Sequence, residues 1–128
     1  MLAHALEGYP FEVCGVFLGT AAAVSRAVRV LNRETAEPRV RYRIAPEDLL
    51  RLQGEARQEG LEVIGYYHTH PDHPSRPSET DRRVAAEGLS DGVFHVVIGV
   101  EEGLRATPTA WLFRDESQAF HPEPFEIE

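Results

Sequence analysis

His68, His70, Ser78 and Asp81, side chains able to bind a metal ion or stabilise an anion, fall within residues 68–81. On an extended strand, residues two apart share a face, about 7 Å apart at the backbone. Two imidazoles placed at 68 and 70 can therefore converge on one ion. Ser78 suits the start of a helix, and Asp81 then sits one turn in, directed back toward the preceding loop. Pro71, Pro74 and Pro77 stiffen the connection between the two. The spacing predicts two imidazole nitrogens and one carboxylate oxygen around a metal, with a fourth position open to water, as in a catalytic zinc site. Zinc lowers the pKa of its water to about 7. A nearby carboxylate can take that proton and pass it on, and a serine hydroxyl can donate to a developing oxyanion.

Each residue also has a plainer reading. A lone His-x-His is more often incidental than metallic. Ser78-x-x-Asp81 has the form of a helix capping box, and Ser78 can serve both purposes. Taken alone, Glu12 is a solvated acid at a strand edge. Asp72 and His73 read as exposed loop residues, and His4, His95 and His121 as structural or exposed. Cys14 reads as a buried, inert thiol.

The elements that must carry these residues follow from periodicity. Leu2 to Glu7 predicts a short helix stopped by Pro10. Val13 to Leu18 is an apolar run expected of a buried strand, and Val24 to Leu31 alternates as a second strand. Asn32 to Pro38 is polar loop. Val40, Tyr42 and Ile44 alternate with Arg39, Arg41 and Arg43, which predicts a half-buried strand with an arginine-lined outer face. Pro46-Glu47-Asp48 opens a helix, Leu49, Leu50, Leu52 and Ala56 give its apolar stripe, and Gly60 closes it. Leu61 to His68 predicts a strand, Thr69 to Pro77 a loop, and Ser78 to about Glu87 a short helix ended by Gly88. Val93 to Val100 and Thr109 to Phe113 are further strands. Phe120, Phe125 and Ile127 suggest a last edge strand or a cover over the core. The sum is an α+β or three-layer arrangement, a mixed sheet flanked by about three helices.

The chain has 128 residues, the length of a single domain spanning residues 1–128. One cysteine excludes an intrachain disulfide framework and suits a reducing cytosol. No apolar run approaches the roughly 18 residues that would span a bilayer, and Met1 to Pro10 lacks the form of a signal peptide. The formal net charge is −8. That balance disfavours nucleic acid and anionic lipid as partners. All thirteen basic residues are arginine.

With the residues in place, a family resemblance emerges. His68-Thr69-His70, seven residues, then Ser78-Glu79-Thr80-Asp81 resembles the signature of the JAMM (MPN+) metalloproteases, with Pro71 and Pro77 at the family's prolines. Pro10-Phe11-Glu12-Val13-Cys14-Gly15, followed by Leu18-Gly19, is similar to the family's glutamate-bearing first strand. The resemblance implies a cytidine-deaminase-like MPN core and one Zn2+ per chain held by His68, His70 and Asp81. It also implies Glu12 as general acid and base and Ser78 as oxyanion donor. It further implies cleavage of peptide or isopeptide bonds after the C-terminal Gly-Gly of a ubiquitin-like or sulfur-carrier protein, by a cytoplasmic monomer or homodimer. The short span between Asp81 and the Val93 strand resembles the compact prokaryotic form, which lacks the insertions that grip ubiquitin. Two other expectations stand beside this one: a non-catalytic MPN-type scaffold, and a relative associated with DNA repair. Stoichiometric zinc separates the first from an enzyme, and the acidic balance weighs against the second.

Overall fold

The computed structural model describes residues 1–20, 23–88 and 92–124. Three helices and six strands follow in the order α1 (Leu2–Gly8), β1 (Cys14–Thr20), β2 (Ala23–Val30), α2 (Pro46–Gln58), β3 (Glu62–Pro71), α3 (Glu79–Glu87), β4 (Phe94–Glu101), β5 (Arg105–Arg114) and β6 (Ala119–Glu123). The strands form one mixed sheet in the order β2-β1-β3-β4-β5-β6. β3 and β4 are parallel and every other neighbouring pair is antiparallel. The α+β architecture expected from the sequence is the one found.

Alternating side chains send the sheet's two faces into two cores. On one face Phe17, Tyr67, Val96, Ile98, Val100 and Ala110 pack with Ala5 of α1. On the other, Cys14, Val16, Leu18 and Val30 pack with Leu52 and Ala56 of α2, and Tyr42 and Ile44 lean on the same cluster. β3 lies in the middle of the sheet and is buried without a break from Tyr67 to Pro71. Its period of two therefore puts Tyr66, His68 and His70 together on the α2 side.

Two sequence expectations need correction. Val40 to Ile44 is not a strand. No strand among the described residues pairs with it. The Asn32 side chain holds it instead, donating to Arg41 O (3.1 Å) and accepting from Arg43 N (3.0 Å). Tyr42 and Ile44 still turn inward while Arg41 and Arg43 face solvent, but Val40 is 56 % exposed. The second correction is at Thr69, where a loop was expected to start. β3 continues through Pro71 because its ladder with β4 runs on, pairing Thr69 with Ile98, His70 with Gly99 and Pro71 with Val100.

The remaining differences are ones of extent. β5 starts at Arg105 rather than Thr109. β6 is the expected edge strand and carries Phe120, whereas Phe125 and Ile127 lie outside the described residues. α2 begins with Pro46 at its first position and ends before Gly60, whose φ of 74° suits glycine. No helix among the described residues is long and apolar enough to cross a membrane.

Candidate metal centre

His68 and His70 reach the site from the end of β3, and Asp81 reaches it from the first turn of α3. The helix start is fixed by reciprocal bonds: Asp81 N donates to Ser78 Oγ (3.0 Å) and Ser78 N donates to Asp81 Oδ2 (2.8 Å). The capping-box reading is thus correct, and it fixes the carboxylate it borrows. The same Asp81 Oδ2 lies 3.1 Å from His68 Nε2 and 3.1 Å from His70 Nε2. The two Nε2 atoms are themselves 3.1 Å apart. Three donor atoms so form a nearly equilateral triangle. Ligand atoms at about 2.0–2.1 Å from a tetrahedral zinc are roughly 3.3 Å from one another. The triangle has the size such an ion needs, and two imidazoles with one carboxylate are a donor set zinc accepts.

The loop after β3 orients one of the two rings. His70 Nδ1 donates to Pro74 O at 3.0 Å, which turns Nε2 toward the triangle. That loop can lie so close to the sheet because residue 99 is glycine. A Cβ there would stand 2.8 Å from His73 O and 3.2 Å from Ser75 N. Ser75 is pinned in turn by Trp111 Nε1, which donates to its carbonyl (3.1 Å), and by Thr109 Oγ1 at 2.8 Å from its hydroxyl. His68 is held differently: the Tyr42 ring stacks on it, centroids 4.4 Å apart and planes within 21°.

Glu12 comes from the segment between α1 and β1. Thr69 is the hinge pin, exchanging two bonds with Val13: Val13 N to Thr69 Oγ1 (2.9 Å) and Thr69 N to Val13 O (3.0 Å). Asn32 Nδ2 donates to Glu12 O at 3.0 Å, and Glu12 N donates to Pro38 O at 2.7 Å. These bonds bury the side chain, which is only 5 % exposed. A Glu12 carboxylate oxygen and one nitrogen from each of His68 and His70 lie within 4.8 Å of one another. Two carboxylates thus approach the same imidazole pair. Asp81 does so at 3.1 Å from each Nε2, and Glu12 within 4.8 Å of both rings.

Electrostatics separate the two acids. Burial pushes the Glu12 carboxyl up to about 8; the His70 ring opposes that shift and the Asp81 charge adds to it. Burial would also raise Asp81, but hydrogen bonds from the two imidazoles and Ser78 N hold it well below the usual carboxylate range. Burial lowers the His68 pKa and outweighs its bond to Asp81. For His70 burial acts the same way but is overcome by Asp81 and Pro74 O, so its pKa rises. Without a cation the cluster already pairs one ionised carboxylate with imidazole.

The structure brings His68, His70, Asp81 and Glu12 together, with Ser78 exposed at the mouth. Asp72 and His73 are exposed, as expected. Asp72 does more than cover surface, since it accepts from Tyr9 Oη (2.6 Å) and from Glu102 N (2.8 Å). Cys14 is buried, and burial first, then the Glu12 and Asp48 charges, raise its thiol to about 12. His4 bonds Tyr67 Oη and His121 bonds Ser117 Oγ, each at 2.8 Å. His95 is buried between Tyr66, stacked on its ring, and Phe120, edge-on to it. Sequence reasoning gave Thr69, Asn32, Tyr42 and Gly99 no part in the site. Only the polar Asn32 in a strand-to-loop transition carried a local signal.

A mixed sheet with helices on both faces, presenting two strand imidazoles to a helix-start carboxylate, defines the JAMM/MPN class of domain. The chain belongs to the prokaryotic homologs of the JAB domain, whose family model matches residues 1–114. It is 37 % identical over 91 residues to the desampylase of Haloferax volcanii, covering 67 % of this chain. It is 32 % identical over 104 residues, 81 % of this chain, to a Thermus thermophilus protein named "Probable TtuB-protein conjugate cleaving protease". The chain spans 66 % of the length of each of these two relatives. A Desulfitobacterium hafniense protein solved in solution superposes with a TM-score of 0.80 at 26 % identity, over 96 % of this chain and 82 % of that one.

Proposed function

We propose that this chain is a zinc-dependent metallopeptidase or isopeptidase that cuts the bond after the C-terminal Gly-Gly of a ubiquitin-like or sulfur-carrier protein. The observation that carries the reading is the triangle of His68 Nε2, His70 Nε2 and Asp81 Oδ2, each edge 3.1 Å. Those three atoms would hold one zinc per chain. Bound zinc supplies an activated water and polarises the carbonyl under attack.

The chain's own residues do the rest. Glu12 takes the water's proton and returns it to the leaving amine. Its buried setting keeps its affinity for that proton high. Ser78 Oγ accepts from Asp81 N, so its own hydrogen is free to donate to the oxyanion that forms on the carbonyl. A groove of about 530 Å³ opens beside Glu12 between Phe11, Leu31 and Pro38, and offers apolar walls to the residues preceding the diglycine. The named substrates of two relatives support the substrate class: the Haloferax protein is a desampylase and the Thermus protein is named for cleaving protein conjugates.

The test is incubation of the zinc-loaded protein with carrier–protein conjugates and with linear carrier fusions, read by mass. Release of carrier ending in Gly-Gly, lost on chelation and in Glu12→Gln, is expected. A zinc-loaded protein that cuts none of these, or a Glu12→Gln variant as active as the parent, would overturn the reading.

A further inference from the structure

Each group of the metal triangle needs a partner on the side facing away from the ion, and two of them have one. His70 Nδ1 has Pro74 O. Asp81 has Ser78 N. His68 has none: its Nε2 faces the triangle, while its Nδ1 is fully buried without a hydrogen-bond partner. An imidazole that gives Nε2 to a cation must carry its proton on Nδ1. A buried N–H left unpaired costs about 1–3 kcal/mol, and metal-binding histidines almost always donate that second N–H to something.

Among the described residues, one other buried side-chain atom stands without a partner, and it is His95 Nε2. Its place matches the need. His95 pairs with Tyr66 across the β3–β4 ladder, and His68 is two residues beyond Tyr66. The two rings therefore stand on the same sheet face in diagonal register, a separation that one shared water can bridge. His95 is 8 % exposed and His68 2 %. Tyr66 stacks on the His95 ring and Phe120 meets it in a T-shaped contact, while its Nε2 bonds nothing. A neutral imidazole has one bare nitrogen, an acceptor that complements an N–H donor.

We infer that His95 is a positioning residue for the metal centre: its Nε2 accepts the Nδ1 proton of His68 through one buried water, and fixes His68 with Nε2 toward the ion. The inference rests on the zinc site proposed above. No bond is made or broken; the proton stays on His68 Nδ1.

The experiment measures zinc affinity by chelator competition for the parent, His95→Gln and His95→Leu, with thermal unfolding of each metal-free protein alongside. Gln places an acceptor near the old Nε2; Leu fills the space without one. The parent binds one zinc, His95→Gln stays within a few-fold of it, and His95→Leu loses about 10- to 100-fold while its metal-free unfolding is as cooperative as the parent's. A second readout does not depend on affinity: in the zinc-loaded parent, nitrogen-15 spectra show a His68 Nδ1 proton protected from exchange, and that protection is lost in zinc-loaded His95→Leu and kept in His95→Gln. Equal zinc affinity in the parent and His95→Leu, or equal loss in Leu and Gln variants that both fold, overturns the assignment of His95. A parent that takes up no zinc instead overturns the zinc reading beneath it.

Discussion

Replacing Gly99 with alanine tests how the loop holds His70. Residue 99 pairs with His70 in the β3–β4 ladder, and the loop from Asp72 to Pro77 folds back over it. An added Cβ would stand 2.8 Å from His73 O and 3.2 Å from Ser75 N, both backbone atoms. Ordinary contact for a carbon begins at about 3.5 Å, so the loop must retreat by roughly half an ångström. Ser75 cannot follow freely, because Trp111 and Thr109 hold it. The strain falls on Pro74, whose carbonyl now bonds His70 Nδ1 at 3.0 Å. A retreat of that size stretches this bond toward its limit and loosens the His70 ring. Overpacking of this kind costs about 1–3 kcal/mol of stability, and loss of a ligand's outer partner costs about tenfold or more in metal affinity. Denaturant unfolding of the metal-free protein reads the first, chelator competition for zinc the second. A variant that loses stability but binds zinc as tightly as the parent would refute the role given to Pro74 O, and one unchanged in both would refute the packing argument itself.

Asn32→Ala removes four bonds at once, to Glu12 O, Arg41 O, Arg43 N and Glu34 N. It is expected to cost about 2 kcal/mol in urea unfolding and to lower hydrolytic rate more than zinc affinity, since it frees Glu12 rather than the triangle. The Cys14 thiol, raised to about 12, is expected to resist alkylation at pH 8 in the folded protein and to react fully in denaturant. His95 is held near 4 by burial, with the His68 charge adding to that and Asp81 opposing, against an ordinary value of 6.5. A lowered folded-state pKa gives stability that is complete above 6.5 and lost as pH falls toward 4, roughly 3 kcal/mol over that interval. His95→Gln, compared with the parent in chelator, is expected to lose that much less on acidification; parallel stability–pH curves would count against it.

Much of the site was legible because its parts are local. His68, His70, Ser78 and Asp81 sit on one strand end and one helix start, and periodicity with capping chemistry places both. Glu12 was legible only through a motif. Its position depends on Thr69, 56 residues from Val13, and on Asn32, and no local pattern announces bonds between such distant partners. Val40 to Ile44 shows the limit of periodicity. Alternation reports which side chains turn inward, and Tyr42 and Ile44 do, but a strand also needs a ladder partner, and here the Asn32 side chain takes the Arg41 and Arg43 backbone groups instead. The prolines after His68 suggested an early loop; a parallel neighbour that continues to Val100 kept the strand going to Pro71. His95 looked unremarkable because its importance lies in an unpaired nitrogen, which only packing reveals.

Anomalous diffraction at the zinc edge from crystals grown with the metal tests the central claim most directly. The account predicts one peak per chain, about 2.0–2.1 Å from His68 Nε2, His70 Nε2 and Asp81 Oδ2, with the Glu12 carboxylate outside bonding distance. No peak, or a peak bonded to Glu12 in place of Asp81, would contradict it.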